Sequence, residues 1–409
     1  MIWAFAACTV PELGPELVFP WAYTPEQDLE AYQQVRWETE TWDPLVDLDQ
    51  ALLYAQKSLL HRPSAPAESL EHFERMRPAI PPLADGPSLS FVGDVMWVGA
   101  NWAHYADDVA ALLDGDLRVG NLETPVDPNQ SSASAALGLY AYNAPPELLD
   151  GLPLDVVQLN NNHTLDAGDA GIAATIAEVE ARGLGWTGVD RHAVAPAGSL
   201  SVALLSYTWG LNVRDETSSH DLFVVPFGHL GEPIDLTGLV ADVAAAREDG
   251  ADRTVVLVHW GFEYEYYADP QFLVLGRAII AAGADLVIGS GPHVAQPVEI
   301  CEVDRGVAAE VGVCALETPA GEPRTAAIVP SLANFGASPS LSTLPTRGGL
   351  VVTVSFGAQG VSGLGWAAVG QTVGAQGPFL SRIEDLTADP EWAAEEERLV
   401  ALLGDGWRR

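Results

Sequence analysis

Between Ser88 and Gly289 short apolar runs alternate with helical patterns, and this alternation constrains the fold more than any other feature. Ser88–Val92, Leu117–Val119, Asp155–Leu159, Leu200–Ser206, Thr254–Val258 and Asp285–Ile288 read as short buried strands. Tyr105–Leu113, Gly171–Arg182, Leu236–Arg247 and Phe272–Ala282 read as helices, two of them followed by a stop glycine, Gly183 and Gly283. Strands that are apolar on both faces need cover on both faces. Helices spaced between them supply it, so the pattern predicts an α/β domain.

The flanks read differently. Helical spacing around Asp47–Leu60 and Ala67–Met76 precedes a breaker at Pro78–Pro87, which marks a boundary. Beyond Pro297 the pattern turns to hairpin-like strands: Val298–Val303, Val311–Leu316, Thr325–Ser331, Leu350–Phe356 and Val361–Val369. A last helix is expected from the N-cap pair Asp389-Pro390 to about Leu403, ending at Gly404, with Glu395–Glu397 as a solvated face. The expected division is an extension over 1–86, one large domain over 87–370 and a helical extension over 371–409.

Composition excludes some functions. Asp and Glu number 56 against 19 Lys and Arg, a formal net charge of −37. Phosphate neutralisation needs clustered cations, so nucleic acid is not an expected partner, nor is electrostatic docking on anionic lipid. With 48% apolar residues the chain is nonetheless a globular one. No apolar stretch is long enough to cross a bilayer as a helix.

Met1–Cys8 runs through small residues into a cysteine, like the end of a bacterial lipoprotein signal, but lacks the basic and long apolar regions of one. A lipid-anchored Cys8 behind an upstream start and a chance Ala-Ala-Cys stay equally open. Cys301 and Cys314 flank a turn-like Asp304-Arg305-Gly306 in an apparent hairpin; a disulfide and two reduced thiols are both open.

Polar residues gather where the strands end: Asp94, Asn121 with Glu123, Asn162 with His163, His259 and His293. Ligand sites of open α/β sheets form beyond the carboxyl ends of strands. Carboxylate, amide oxygen and imidazole converging there make a donor set for Zn, Mn or Fe. Each piece alone has a plain alternative: a helix cap for Asp94, a turn for Asn160–Asn162, a core histidine for His259. Their joint order is what gives the pattern weight.

These motifs resemble a known family. Gly93-Asp94-Val95-Met96, Gly120-Asn121-Leu122-Glu123, Asn161-Asn162-His163 through Gly168, His259 through Tyr264 and Gly289 through Val294 look like the bacterial capsule-synthesis (CapA/PgsA, poly-γ-glutamate synthesis) proteins. Asn143–Glu147 and Ser331–Phe335 add to the match. The family belongs to the calcineurin-like metallophosphoesterase superfamily. The resemblance therefore implies a four-layer α/β/β/α sandwich and a metal-dependent hydrolase of the phosphoester type. It implies Asp94, Glu123 and His293 around one ion and Glu123, Asn162 and His259 around another, one or two ions of Mn, Zn or Fe in all. It gives His163 the role of general acid or of contact to the scissile group, oriented by Asp166. Glu263 belongs to the pattern without a firm role. The sequence departs from the pattern twice: Met96 and Gly291 stand where metal-binding histidines are usual.

The implied setting is the cell envelope or its exterior, with a phosphoester or anionic polymer as substrate and capsule-synthesis membrane proteins as partners. The alternative is a non-catalytic envelope scaffold or polymer-binding protein with a degenerate metal site; its Trp residues would offer stacking surfaces or, for most of them, core packing, and Tyr264–Tyr267 would rim the site or pack at the start of a helix.

Overall fold

A computed structural model describes residues 67–96, 104–130, 142–212, 218–225, 236–268, 270–306, 314–318, 321–336, 344–374 and 377–409. Cys8 and the helical spacing at Asp47–Leu60 lie outside them. The fold is mixed α/β, with several helices around a large sheet.

In chain order, α1 (Ala67–Met76) leads into β1 (Ser88–Val95) and β2 (Leu117–Leu122). The short α2 (Glu147–Asp150) precedes β3 (Val156–Gln158), α3 (Gly168–Ala181), β4 (Gly185–Thr187), β5 (Ala193–Ala197) and β6 (Leu200–Thr208). Then come α4 (Thr237–Glu248), β7 (Arg253–His259), α5 (Pro270–Ala281) and β8 (Leu286–Ser290). The last part holds β9 (Glu299–Val303), β10 (Cys314–Leu316), β11 (Arg324–Val329), β12 (Gly348–Gly357), β13 (Gly360–Gly374), β14 (Gly377–Arg382), α6 (Ile383–Leu386) and α7 (Pro390–Leu403).

The strands form one 14-stranded sheet ordered β4-β3-β2-β1-β12-β13-β11-β8-β7-β6-β5, with β14 on β13 and β9 and β10 beside β11. Two parallel groups carry it, β1 to β4 and β6, β7, β8 and β11. They are joined through the antiparallel β1–β12 and β12–β13 ladders and one β11–β13 pair, Thr325 with Gly360.

Alternation along each strand divides the core into three clusters. Leu89, Phe91 and Val119 of one group share a cluster with Val202, Leu204, Val255 and Leu257 of the other. The intervening residues turn the opposite way. Ala203, Leu205, Val256 and Val258 pack with Leu239 and Val243 of α4 and Phe272 of α5. Val92, Leu122 and Val157 pack with Leu148 of α2 and Ile172 of α3. This two-sided burial is why the strand sequences are apolar throughout.

The structure departs from several expectations. Residues 104–109 form turns followed by a single 3₁₀ turn at Ala110–Leu112, where a helix over Tyr105–Leu113 was expected. β9 and β10 pair in parallel, with Cys301 opposite Cys314, so they are not a hairpin; the two cysteines form a disulfide. β13 runs past residue 370 and β14 follows it, so strands occupy the start of the stretch expected to be helical. α7 does follow its signals. Asp389 caps it by accepting from the Glu391 amide at 2.9 Å, and Gly404 ends it at φ +82°. Yet Glu395 is buried on Arg398 rather than solvated, and Trp392, Leu399, Leu402 and Leu403 of α7 belong to the central cluster. Among the described residues no helix is long and apolar enough to cross a membrane.

Candidate metal centre

β1 delivers the first group. Its ladder with β2 shifts register between Val92 and Asp94, an irregularity that re-aims the following side chain. Gly93 is required there, because a Cβ would lie 1.8 Å from the Ala333 carbonyl oxygen. The 331–335 segment can thus run alongside: Asp94 N–H donates to Ala333 O at 2.9 Å and Phe335 N–H to Asp94 O at 2.8 Å. The buried Asp94 carboxylate accepts from Asn121 Nδ2 at 2.8 Å and Gly291 N–H at 3.1 Å, and lies 3.0 Å from His293 Nδ1. Burial pushes its pKa up, but the hydrogen bond and charge of His293 outweigh this and hold it below the usual carboxylate value.

β2 brings Asn121 and, just past its end, Glu123. The Glu123 carboxylate is completely buried, and neither oxygen has a hydrogen-bond partner among the described residues. Burial first, then the charge of Asp94, raise its pKa well above the ordinary value.

After β3 the chain turns through Asn160–His163. Asn161 braces this turn: its Oδ1 accepts the His163 amide at 3.0 Å, and its Nδ2 donates to Asn121 Oδ1 at 3.1 Å and Leu122 O at 2.9 Å. Asp166 Oδ2 holds His163 Nδ1 at 2.7 Å and accepts the Tyr142 amide at 2.6 Å, while the Tyr142 ring stands edge-on to the imidazole at 4.3 Å. Asn162 Nδ2 contacts Asn212 Oδ1 at 3.4 Å; its Oδ1 is buried without a hydrogen-bond partner among the described residues.

His259 is the last residue of β7, with Nδ1 3.1 Å from Ser290 Oγ at the end of β8. Burial depresses its pKa to about 3. His293 follows β8 with a left-handed backbone, φ +58°. Burial would lower its pKa, but the charge of Glu123 and the bond to Asp94 overcome this and lift it to about 10.

Three imidazoles therefore face one carboxylate. Glu123 Oε1 lies 3.6 Å from His259 Nε2, 3.9 Å from His293 Nε2 and 4.0 Å from His163 Nε2. These separations exceed a hydrogen bond. They match donors that share an ion at about 2 Å from each, which stand roughly 3–4 Å apart. Ligand atoms of Asp94, Glu123 and His259 all lie within 4.8 Å of one another. An orphaned buried carboxylate is costly unless something charged meets it, so the donor set fits a divalent ion. Glu263 is half-buried, and its charge acts on both Glu123 and His293. Met96 is buried beside the strand end.

Asn334, Asn161, Asn212 and Ser290 also enter the site and were given no role from sequence. Asn334 sits within the Ser331–Phe335 motif, a signal read only as a family mark. Asn212 belongs to a loop with no pattern around it.

Residues 88–335, more than half of the chain, match the model of a family described as bacterial capsule synthesis protein PGA_cap. The chain belongs to this family. Among curated relatives of this capsule-synthesis family, it is 26% identical to the PGA biosynthesis protein CapA of Bacillus subtilis, over 52% of this chain and 59% of that one. It is 25% identical to the capsule biosynthesis protein CapA of Bacillus anthracis, over 46% of this chain and 48% of the relative. A probable polyglutamine synthesis accessory protein of Mycobacterium tuberculosis is 25% identical over 49% of this chain and 56% of its own. The match thus spans about half the length of these relatives. The family is one of capsule and poly-glutamate biosynthesis accessory proteins.

Proposed function

We propose that this capsule-family chain is a metal-dependent hydrolase of the phosphoester type that acts on an anionic polymer or its phosphoester precursor at the cell envelope. The carrying observation is Glu123, a buried carboxylate with no hydrogen-bond partner among the described residues, ringed by His163, His259 and His293. One or two Mn, Zn or Fe ions would supply Lewis-acid polarisation of the scissile group and a water acidified toward neutrality.

Asp94, Glu123, His259 and His293 would hold such ions, with Asn162 Oδ1, buried and without a partner among the described residues, as a further ligand. Asp166 holds His163 by Nδ1, so Nε2 is the atom turned to the centre and the one from which a proton would pass to a leaving oxygen. Glu263 would add a lesser negative charge acting on Glu123 and His293. The three-cluster core supports the finer fold reading, two facing sheets with helices outside, the α/β/β/α sandwich of calcineurin-like phosphoesterases. The Cys301–Cys314 disulfide favours an oxidising compartment. A lipid anchor at Cys8 and membrane-bound capsule-synthesis partners complete the proposed setting.

Elemental analysis joined to a phosphodiester substrate panel tests this. Wild-type chain should carry roughly one to two ions and hydrolyse at least one phosphodiester, and Glu123→Gln should lose both. A metal-free chain that stays inert under added Mn would overturn the proposal in favour of a scaffold.

A further inference from the structure

We propose that Asn334 is a positioning residue of the centre, whose amide oxygen fixes the His293 ring with Nδ1 turned outward and Nε2 turned to Glu123. The inference rests on the metal-centre reading above and assigns a residue that reading leaves out.

Asn334 is buried, and its two amide ends are distinguishable by their partners. Nδ2 lies 2.7 Å from the Thr346 carbonyl oxygen, which only accepts, so this end is the NH₂. Oδ1 therefore faces His293 Nδ1 at 3.0 Å, and Nδ1 must carry the hydrogen between them. The same Nδ1 lies 3.0 Å from Asp94 Oδ2. With that edge of the ring held, Nε2 is left toward Glu123 Oε1, at 3.9 Å.

Asp94 is itself in the donor set. An ion that drew Asp94 Oδ2 to itself would weaken the Asp94 hold on Nδ1, and Asn334 would remain as the acceptor that keeps the ring oriented. Histidines that bind metal through one nitrogen ordinarily give the other N–H to such an acceptor.

The backbone makes Asn334 a rigid platform. It bridges to Asp94, and the preceding Ala333 adopts a left-handed φ of +60°. On the far side a Cβ at position 349 would lie 1.9 Å from Asn334 O, so Gly349 is the clearance that lets the chain pass.

The test compares full-length wild type, Asn334→Ala and Asn334→Asp. Asp keeps the acceptor but loses the donor to Thr346. Two readouts are taken: Mn²⁺ or Zn²⁺ affinity by calorimetry, and the His293 Nδ1 proton resonance in metal-free protein, assigned with His293→Gln. Asn334→Ala should weaken metal binding about 10- to 100-fold and move the resonance. Asn334→Asp should retain most of the affinity and a hydrogen-bonded Nδ1 proton. If Asp fails alongside Ala, the amide merely braces the Thr346 segment and the proposal is wrong. An unchanged resonance in Asn334→Ala also overturns it. Should wild type take up no metal, the centre reading fails on its own, and the proton resonance still decides the hydrogen bond. If Asn334→Ala does not fold, as read by thermal melting, the Asp variant against wild type carries both readouts.

Discussion

Gly291 shows how much one backbone position can decide. The resemblance puts a metal-binding histidine there, and its loss reads from sequence as a missing donor. In the structure Gly291 has φ +108°, and a Cβ would lie 2.6 Å from Trp260 O and 3.3 Å from His259 Nε2. Its N–H holds Asp94 Oδ2 at 3.1 Å. A side chain here meets immovable backbone and crowds a proposed ligand. Gly291→His is therefore expected to destabilise the fold by about 1–3 kcal/mol without raising the number of bound ions. Urea melts and elemental analysis check this; a stable variant with added metal would show that the loop adapts. At this scale the sequence exposes residues whose polarity is surprising at a strand end: Asp94, Glu123, His259 and His293. Asn334 and Asn212 escape because an asparagine in a loop is unremarkable until its partner is known.

Among elements, α1 shows how a flanking segment is tied to the domain. His72 Nε2 of α1 meets Glu299 Oε1 of β9 at 2.6 Å, and Arg277 of α5 holds the same carboxylate, Nε to Oε2 at 2.8 Å. All three side chains are buried. Burial alone would raise the Glu299 pKa; the charge and hydrogen bonds of Arg277, with His72, bring it down to about 2 from 4.5. A depressed carboxylate stabilises the fold fully above its unfolded pKa and loses that contribution as pH falls toward its folded one. The contribution, on the order of 3 kcal/mol, should thus be present above pH ~5 and fade toward pH ~2. Glu299→Gln should flatten this part of the stability curve, measured by denaturant melts across that range; an unchanged slope would count against it. Element legibility follows burial. β1, β6, β7 and β8 are apolar on both faces and readable. β4 has only three residues, and β5 alternates half-buried and exposed positions at a sheet edge, so neither stands out. The parallel β9–β10 pairing was unreadable because a turn-like sequence does not give strand direction. Glu395 shows the same limit: its burial depends on Arg398 and on where α7 docks.

For the whole molecule, charge is the property that bears on the proposed polyanionic substrate. Arginines, the groups able to attract a polyanion, are heavily committed to acidic partners: Arg118 to Asp155, Arg182 to Asp150 and Glu178, Arg277 to Glu299, Arg398 to Glu395, Arg409 to Asp114. With a formal −37, long-range forces oppose the approach of free poly-glutamate. Screening weakens that opposition, since the Debye length falls from ~30 Å at 0.01 M to ~8 Å at 0.15 M salt. Binding of a labelled poly-γ-glutamate, followed by anisotropy, is therefore expected to strengthen as monovalent salt rises through this range. Added Mn²⁺ should strengthen it further if the centre supplies the attraction. This is opposite to the salt response of a cationic polymer-binding surface, whose contacts release counterions and weaken with salt. Binding that falls steadily with salt would mean a local positive surface governs recognition, and the overall charge would then be irrelevant to substrate choice.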